Sequence, residues 1–193
     1  MRGAADPESG RLVRRILIPL AKLRCTRVAL QSATSALEVL GGNGYMEDWP
    51  MARQLRDAQC HTIWEGTENI LCIDVRRAMR GEQAHIALFE RVERALDSAS
   101  GVGVLARPVD AVSSALSDAR TAVVHLSKVD DDLGLLQARR FAELLADLTE
   151  GALLVEHAAW SLGRDGDARK AAVARRFSAK RLESAPVLSL IHI

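Results

Sequence analysis

One short segment of the sequence carries residue types suited to proton transfer. It reads Thr62-Ile63-Trp64-Glu65-Gly66-Thr67, so a carboxylate stands between a bulky aromatic residue and a glycine. An apolar neighbour disfavours the charged carboxylate and raises its pKa, and a glycine lets a substrate approach the backbone. Glu65 is therefore a candidate general base. The spacing alone favours a structural alternative, in which Glu65 complements a helix dipole and Trp64 fills a gap in the core.

The remaining patterns point away from other kinds of catalytic site. The five histidines are scattered, with no HExxH motif or Cys/His grouping, so we expect no metal site. The GGNGY run lacks the lysine of a phosphate-binding loop, and read alone it is a helix stop followed by a turn. No GxSxG nucleophile motif is present. Cys25, Cys60 and Cys72 include no CxxC pair, which predicts three buried thiols in a reducing compartment.

Composition predicts the fold class. The 193 residues include 26 Lys and Arg against 25 Asp and Glu, a net charge of +1 that excludes charge steering by the whole chain. Aromatic residues make up only 4%, while Ala, Leu and Arg dominate, which is typical of packed helices and predicts an all-α fold. The sequence contains no apolar run of about 18 residues, and it starts with a polar segment. We therefore expect a cytoplasmic protein without a membrane segment.

The candidate base lies between two predicted helices. Apolar residues spaced by three, four and seven from Ile16 to Leu40 predict a long helix, with Pro19 near its beginning. The helix should stop at Gly41-Gly42, and Asn43-Gly44 should form a tight turn. A short helix is expected from Pro50 to Ala58. Thr67 is then predicted to be the N-cap of a helix that ends at Arg80-Gly81, with these residues facing inward: Ile70, Leu71, Val75 and Ala78.

More helices should follow, because apolar residues keep helical spacing to Leu182. The Asp130-Asp131-Asp132 run and Asp167 supply N-cap chemistry for two of these helices. We expect one helical domain with a sub-boundary near Gly81 or Gly101. Residues 187–193 break the helical spacing and lack charge, so we expect them not to be native packing sequence.

The segments around Glu65 resemble the acyl-CoA dehydrogenases, in the C-terminal helical domain of that flavoprotein family. The resemblance rests on LEVLGGNGYMED at residues 37–48, on Arg56-Asp57, and on TIWEGTENILCIDVRRAM at residues 62–79. It covers residues 14–80 well and the remaining helices loosely. Glu38 before GGNGY, the IWEGT motif and the ILCIDVRR continuation resemble the branch that includes bacterial adaptive-response proteins of the AidB type, made under DNA alkylation stress.

The resemblance implies α,β-dehydrogenation of an acyl-CoA thioester with FAD as cofactor. Glu65 would remove the α-proton and donate its backbone N–H to the thioester carbonyl, with Trp64 and Gly66 beside the substrate. Thr67, Glu68 and Asn69 match positions that contact FAD, at a helix N-terminus suited to its pyrophosphate. A second stretch matches residues that touch the FAD of a neighbouring subunit, which implies a homo-oligomer, a dimer or tetramer: Glu38, Val39, Leu40, Gly41 and Gly42.

Two departures from the family pattern bear on these expectations. Most of the family has Gln where this chain has Glu38, and a carboxylate offers no N–H donor and repels a phosphate. The family's earlier domains and the first helices of its C-terminal domain also have no counterpart here. Residues 1–80 would thus be part of a bundle truncated at its N-terminal side, and residues 81–186 further helices of the same region. We expect a C-terminal fragment that is inactive when isolated.

An alternative function follows from the charge distribution. Residues 164–183 contain seven basic side chains against three acidic ones, and residues 1–27 contain seven against two. Such a basic surface on C-terminal helices is typical of proteins that contact phosphates, although a solvated helix face gives the same pattern. The alternative is a DNA-associated alkylation-stress flavoprotein that retains the dehydrogenase scaffold.

Overall fold

A computed structural model describes residues 6–183, and the described residues form helices without any β-strand. The all-α prediction is confirmed. A 3₁₀ turn at Gly103–Leu105 precedes α6, and a π-helical turn at Ser178–Leu182 follows α8 directly. The helices in chain order are α1 (Pro7–Val39), α2 (Gly42–Tyr45), α3 (Pro50–His61), α4 (Glu68–Glu82), α5 (Ala84–Ser98), α6 (Ala106–Leu126), α7 (Asp131–Asp165) and α8 (Arg169–Phe177).

Helix α1 begins earlier than its apolar spacing predicts. The carboxylate of Asp6 accepts the backbone N–H of Ser9 at 3.2 Å, and Pro7 occupies the first turn. Both features initiate helices, because they satisfy or remove N–H groups that have no partner inside the helix. The placement of Pro19 near the helix start is therefore wrong: this proline is buried in the helix interior, which continues past it to Val39.

Only the first half of α1 reaches the core. Ile16, Leu20 and Leu23 are buried, whereas Leu30 is only half-buried and Leu40 is exposed. Helices α2 and α3 pack on α1, and they leave much of its second half exposed. We call the second half of α1, together with α2 and α3, the α1–α3 arm.

The turn that ends α1 is partly as predicted. The helix stops before Gly41, which has a left-handed φ of 59° that favours glycine. The tight turn predicted at Asn43-Gly44 is wrong, because these residues belong to the short helix α2. A Cβ on Gly44 would lie 2.3 Å from the carbonyl oxygen of Leu37, so this glycine permits α2 to pack directly on α1. Helix α3 runs on to His61 rather than ending at Ala58.

Helix α7 organises the core. It packs against α1, α4, α5, α6 and α8, and its start is capped as predicted, since Asp130 accepts the backbone N–H of Leu133 at 2.8 Å. The Asp167 carboxylate accepts the backbone N–H of Arg169 at 2.9 Å at the start of α8. A single buried cluster joins residues of α1 to those of α8; its largest members include Phe141, Ile16, Leu88, Leu126, Leu145 and Val155. The N-terminal helices are thus anchored to the C-terminal ones through a common core.

The cysteines differ from the prediction of three buried thiols. Cys72 is buried in α4, and burial raises the pKa of its thiol to about 11. Cys25 and Cys60 are exposed, so the prediction is wrong for both.

Among residues 6–183, no helix has the length and apolar character needed to cross a bilayer. Residues 187–193, which we expected not to be native packing sequence, lie outside the described residues.

Candidate functional site

The segment that carries Glu65 is a loop with an unusual backbone, between the end of α3 and the start of α4. Glu65 has a φ of 56°, and the following Gly66 has a φ of 107°. A glutamate in the left-handed region is uncommon, because its Cβ crowds the backbone there. Non-glycine residues in this region cluster at functional sites, where the surrounding structure imposes the conformation. Backbone geometry therefore singles out the residue that the sequence motif also marks.

Lys22 of α1 fixes this loop on both sides of Glu65. Its Nζ donates a hydrogen bond to the carbonyl oxygen of Trp64 and another, of 3.1 Å, to that of Gly66. At the α3 end, Thr62 is buried and its Oγ1 donates to the carbonyl oxygen of Gln59 at 2.8 Å. Charge-assisted hydrogen bonds are about twice as strong as neutral ones, so Lys22 is the main restraint on the loop conformation.

The side chains of this loop point outward. Glu65 is exposed, Trp64 is 56% exposed, and Ile63 is 58% exposed. The interpretation of Trp64 as a core filler is therefore wrong, because more than half of its surface is exposed. Ile63 and Trp64 are instead exposed apolar residues that precede Glu65 in the chain. Residues 6–183 leave Glu65 open to solvent.

The first turn of α4 presents donors next to the loop. Thr67 is at the N-cap position, as predicted, but its side chain makes no capping hydrogen bond. Thr67 and Asn69 are both exposed. Backbone N–H groups at an uncapped helix start, together with the helix dipole, favour an anionic group such as a phosphate.

Glu68 faces inward and ties three helices together. It is only 8% exposed, and it accepts a hydrogen bond from Arg27 of α1 and another, of 3.0 Å, from Arg139 of α7. These arginines, Arg27 foremost, hold the pKa of the Glu68 carboxyl below its ordinary value. The carboxylate therefore fixes the start of α4 against both α1 and α7, and both of its oxygens have protein donors.

The stretch Glu38–Gly42 lies at the far end of the α1–α3 arm. Val39 is 85% exposed, and a Cβ added to Gly41 or Gly42 would meet no atom within 4 Å. Since Lys22 touches the Glu65 loop, Glu38 lies roughly 24 Å further along the same helix at 1.5 Å per residue. The structure therefore does not bring the two predicted groups of site residues together within one chain.

Three of the seven basic side chains at residues 164–183 have acidic partners among the described residues. Arg164 pairs with Asp165, Arg169 pairs with Asp167, and Arg181 pairs with Asp147 at 2.9 Å. The guanidinium of Arg164 also lies 4.0 Å from the ring centroid of Trp160. Within residues 6–183, three members of the basic set form no ion pair: Lys170, Arg175 and Arg176. The described residues also contain no group of three His, Cys, Asp or Glu side chains placed to hold a metal ion.

Lys22 and Arg139 escaped the sequence-based interpretation. Lys22 reaches the loop across 42 positions of sequence, and Arg139 reaches Glu68 across 71. Both residues lie on amphipathic helices, where a single basic side chain has no distinguishing local pattern. No signal in one sequence could have identified either contact.

Two family profiles match the chain, one after the other. The profile described as "Acyl-CoA dehydrogenase, C-terminal domain" matches residues 1–80. The profile described as "Acyl-CoA dehydrogenase 11 C-terminal domain-like" matches residues 83–189. The Glu65 loop lies within the first match, and Arg139 lies within the second.

Individual relatives are similar to different lengths of the chain. Acyl-CoA dehydrogenase family member 11 of Caenorhabditis elegans is 34% identical over 154 residues, which cover 75% of this chain and 24% of that protein. FadE5 of Mycobacterium tuberculosis, a broad-specificity linear acyl-CoA dehydrogenase, is 28% identical over 84% of this chain and 30% of its own length. The putative acyl-CoA dehydrogenase AidB of Escherichia coli is 38% identical over 65 residues.

A solved structure has the same helical arrangement. The crystal structure of Caenorhabditis elegans ACDH-11 in complex with C11-CoA matches with a TM-score of 0.82 at 30% identity. The match covers 92% of this chain and 30% of that one. The chain thus spans about a quarter to a third of the length of the nematode and mycobacterial relatives, and its match to AidB spans 12% of that protein.

Proposed function

Because the chain belongs to the acyl-CoA dehydrogenase family through its C-terminal helical region, we propose that it supplies the catalytic base of an FAD-dependent acyl-CoA dehydrogenase. In this proposal Glu65 removes the α-proton of an acyl-CoA thioester, and the product is the α,β-unsaturated thioester. The observation that carries the proposal is the constrained, left-handed backbone of Glu65 inside the WEGT motif.

The loop geometry suits a base that also polarises the substrate. An α-proton is acidic enough for removal only when the thioester carbonyl oxygen is stabilised as negative charge develops on it. A left-handed residue reverses the local chain direction, so the N–H of Glu65 can point to the same side as its side chain. Lys22 binds the two flanking carbonyls, which restrains the backbone on both sides of Glu65. Gly66 leaves space for the thioester beside the backbone.

Residues at the start of α4 would hold the cofactor. Thr67 and Asn69 are exposed at a helix N-terminus without a side-chain cap, which fits an anionic pyrophosphate. Glu68 contributes by fixing that turn, since its carboxylate is already engaged by Arg27 and Arg139. Held there, FAD would supply the acceptor for the hydride that leaves the β-carbon.

The α1–α3 arm would contribute to a second subunit's site. Glu38, Val39 and Leu40, together with Gly41 and Gly42, lie too far from Glu65 to share one site with it in the same chain. Their exposure, and the open space at both glycines, fit contact with the FAD of a neighbouring copy. A homo-oligomer then explains why these two motifs occur in one sequence.

The adaptive-response branch and its DNA-associated function remain predictions. The AidB match covers 34% of the chain, whereas the match to the nematode protein covers 75%. Several basic side chains on which the DNA alternative rests are neutralised within the fold. The dehydrogenase function is therefore the one we adopt.

The test uses the full-length polypeptide that contains this chain, purified with its flavin. Anaerobic addition of a linear acyl-CoA should bleach the flavin absorbance and yield a trans-2-enoyl-CoA. Glu65→Gln should keep the flavin bound and slow bleaching by about 10²–10⁴-fold, because an amide matches the carboxylate in shape but cannot accept the proton.

Two controls accompany this test. Glu90→Gln alters an exposed glutamate of α5 and should bleach at the wild-type rate. 2,2-Dimethylpropanoyl-CoA has no α-hydrogen and should cause no bleaching with any variant. Wild-type bleaching by the Glu65→Gln protein would exclude Glu65 as the base.

A further inference from the structure

A groove of about 470 Å³ runs between α1 and the last two helical elements, α8 and the π-helical turn. Its volume lies within the range of small-molecule sites, roughly 300–1,000 Å³. Five cationic side chains line it: Arg24, Arg27, Arg176, Lys180 and Arg181. Glu150 is the acidic residue of its lining, and the other carboxylates bonded to these arginines are Asp147 and Glu68. The cations therefore outnumber the carboxylates around the groove.

Three of the arginines are oriented by carboxylates and keep free donors. Arg24 pairs with Asp147 through Nη2 and with Glu150 through Nε at 3.2 Å, and Arg181 pairs with Asp147 through Nε and Nη2. Arg27 uses Nε to pair with Glu68. A guanidinium has five N–H donors, so each of the three retains N–H groups that these carboxylates do not use. Ordering these side chains in advance removes part of the entropy cost of binding an anion.

One side of the groove is apolar. Val28 of α1 and Val173 of α8 are about half exposed, and Phe177 lies between them and α7. A Cβ on Gly151 of α7 would lie 3.6 Å from the Phe177 ring, an ordinary van der Waals distance, so the ring packs against α7. The groove thus combines an apolar surface with a cationic rim.

The π-helical turn shapes the cationic rim. It spans Ser178–Leu182 and follows α8 without a break. A π turn inserts an extra residue into the helix and rotates the side chains that follow it; such turns are frequent at functional sites. Here the turn carries Lys180 and Arg181 into the groove lining, and Ser178 is buried with its hydroxyl lacking a partner among the described residues.

We propose that this groove binds an organic phosphate monoester, with the phosphate on the arginine and lysine side chains and the organic part on Val28, Val173 and Phe177. A phosphate has three acceptor oxygens and two charges, which match several converging N–H donors better than one carboxylate does. The site is separate from the Glu65 loop and does not depend on the dehydrogenase function. Its organic phosphate is either a lipid-like alkyl phosphate or a nucleotide.

Isothermal titration of the 193-residue chain with dodecyl phosphate, AMP and inorganic phosphate tests this site. Dodecyl phosphate or AMP should bind with one-to-one stoichiometry and at least about tenfold more tightly than inorganic phosphate, because the organic part adds apolar contact. The organic ligand that binds more tightly shows whether the site takes a lipid-like alkyl phosphate or a nucleotide. Phe177→Ala should weaken that ligand several-fold and leave inorganic phosphate unchanged.

Two double variants that remove equal charge distinguish specific binding in the groove from general attraction to surface charge. Arg176→Gln with Lys180→Gln should weaken the organic phosphate by about tenfold or more, since both side chains line the groove. Lys170→Gln with Arg175→Gln removes the same charge from α8 outside the groove and should change the affinity less than twofold. Equal weakening by both pairs, no binding of either organic phosphate, or tighter binding of a DNA duplex than of both would overturn the proposal.

Discussion

Glu65 is the residue at which the sequence motif and the backbone conformation coincide. Its φ of 56° is one of two positive values for non-glycine residues in the described part of the chain, and the other, at Gln83, lies in the turn between α4 and α5. The WEGT motif predicted a functional carboxylate, but the lysine that restrains it lies far away in sequence. The loop is therefore held by long-range hydrogen bonds rather than by local propensity.

The stability of the fold should require glycine at position 66 because of its backbone conformation. A Cβ there would lie 3.7 Å from the nearest side-chain atoms, an ordinary contact, but a φ of 107° is strained for any other residue. Gly66→Ala should lower the free energy of unfolding by about 1–3 kcal/mol. Gly163→Ala, in an open position of α7, should raise it by about 0.5–1 kcal/mol. Urea denaturation measures the free energy of unfolding of both variants. A change in the same direction for both would contradict this account.

Lys22 should protect the loop against local opening. Ile63 and Trp64 donate their backbone N–H groups to the carbonyl oxygen of Cys60, at 3.0 and 3.1 Å. Lys22→Met keeps the aliphatic stem and removes the charged donor, so these two amides should exchange with solvent about tenfold faster. Hydrogen exchange read by NMR measures the change. Lys128→Met, at an exposed lysine, serves as the control, and unchanged exchange in Lys22→Met would show that Lys22 does not hold the loop.

At the scale of elements, the start of α4 is braced from two directions. Arg27 belongs to α1 and Arg139 to α7, so the turn that carries the predicted cofactor contacts depends on helices from both family profiles. The C-terminal helices thus contribute directly to the position of the Glu65 loop. This dependence gives them a role in the site beyond general stability.

The ion pairs of Glu68 with Arg27 and Arg139 should make the free energy of unfolding depend on pH. Because the folded-state pKa of Glu68 is lowered, its contribution is present above the unfolded pKa of about 4.3 and is lost as the pH falls through the lower folded value. Glu68→Gln should therefore cost about 1–3 kcal/mol at pH 7 and less at pH 3. Denaturation at both pH values, with Glu90→Gln as control, measures this difference. An equal cost at both pH values would show that ionised Glu68 does not stabilise the fold through its arginines.

Sequence patterns predicted the helices better than they predicted the neighbours of each helix. Asp130 and Thr67 were both correctly placed at N-cap positions, although only Asp130 makes a capping hydrogen bond with its side chain. Ile70 was expected to face inward but is 55% exposed, since the apolar stripe of α4 is wider than the surface that covers it. Periodicity identifies an apolar face, whereas burial depends on distant helices that one sequence does not reveal.

At the scale of the whole molecule, the α1–α3 arm leaves many of its apolar side chains exposed. Helix α3 packs on α1 and α2, which is too little cover for the apolar side chains of the arm. Several are more than half exposed: Val39, Leu40, Tyr45, Met46 and Trp49. Exposed apolar surface of this extent marks an interaction site. In the proposed function the arm meets a neighbouring copy.

The 193-residue chain should therefore self-associate through the arm. Sedimentation velocity at rising concentrations should show oligomers for the wild type, and Val39→Glu with Tyr45→Glu should shift the population to monomers, because buried charges at an interface are costly. Leu136→Glu adds a charge at an 80% exposed position of α7 and should leave self-association intact. Oligomers that persist in the double variant would place the contact elsewhere.

The central claim is that Glu65 removes a proton from the α-carbon of a thioester, and isotope exchange at that carbon tests it most directly. The full-length polypeptide with its flavin is incubated anaerobically in D₂O with an acyl-CoA, and deuterium at the α-carbon is followed by NMR. The wild type and Glu90→Gln should incorporate deuterium at equal rates. Glu65→Gln should incorporate it at least about 100-fold more slowly. Incorporation by Glu65→Gln at the wild-type rate would contradict the account.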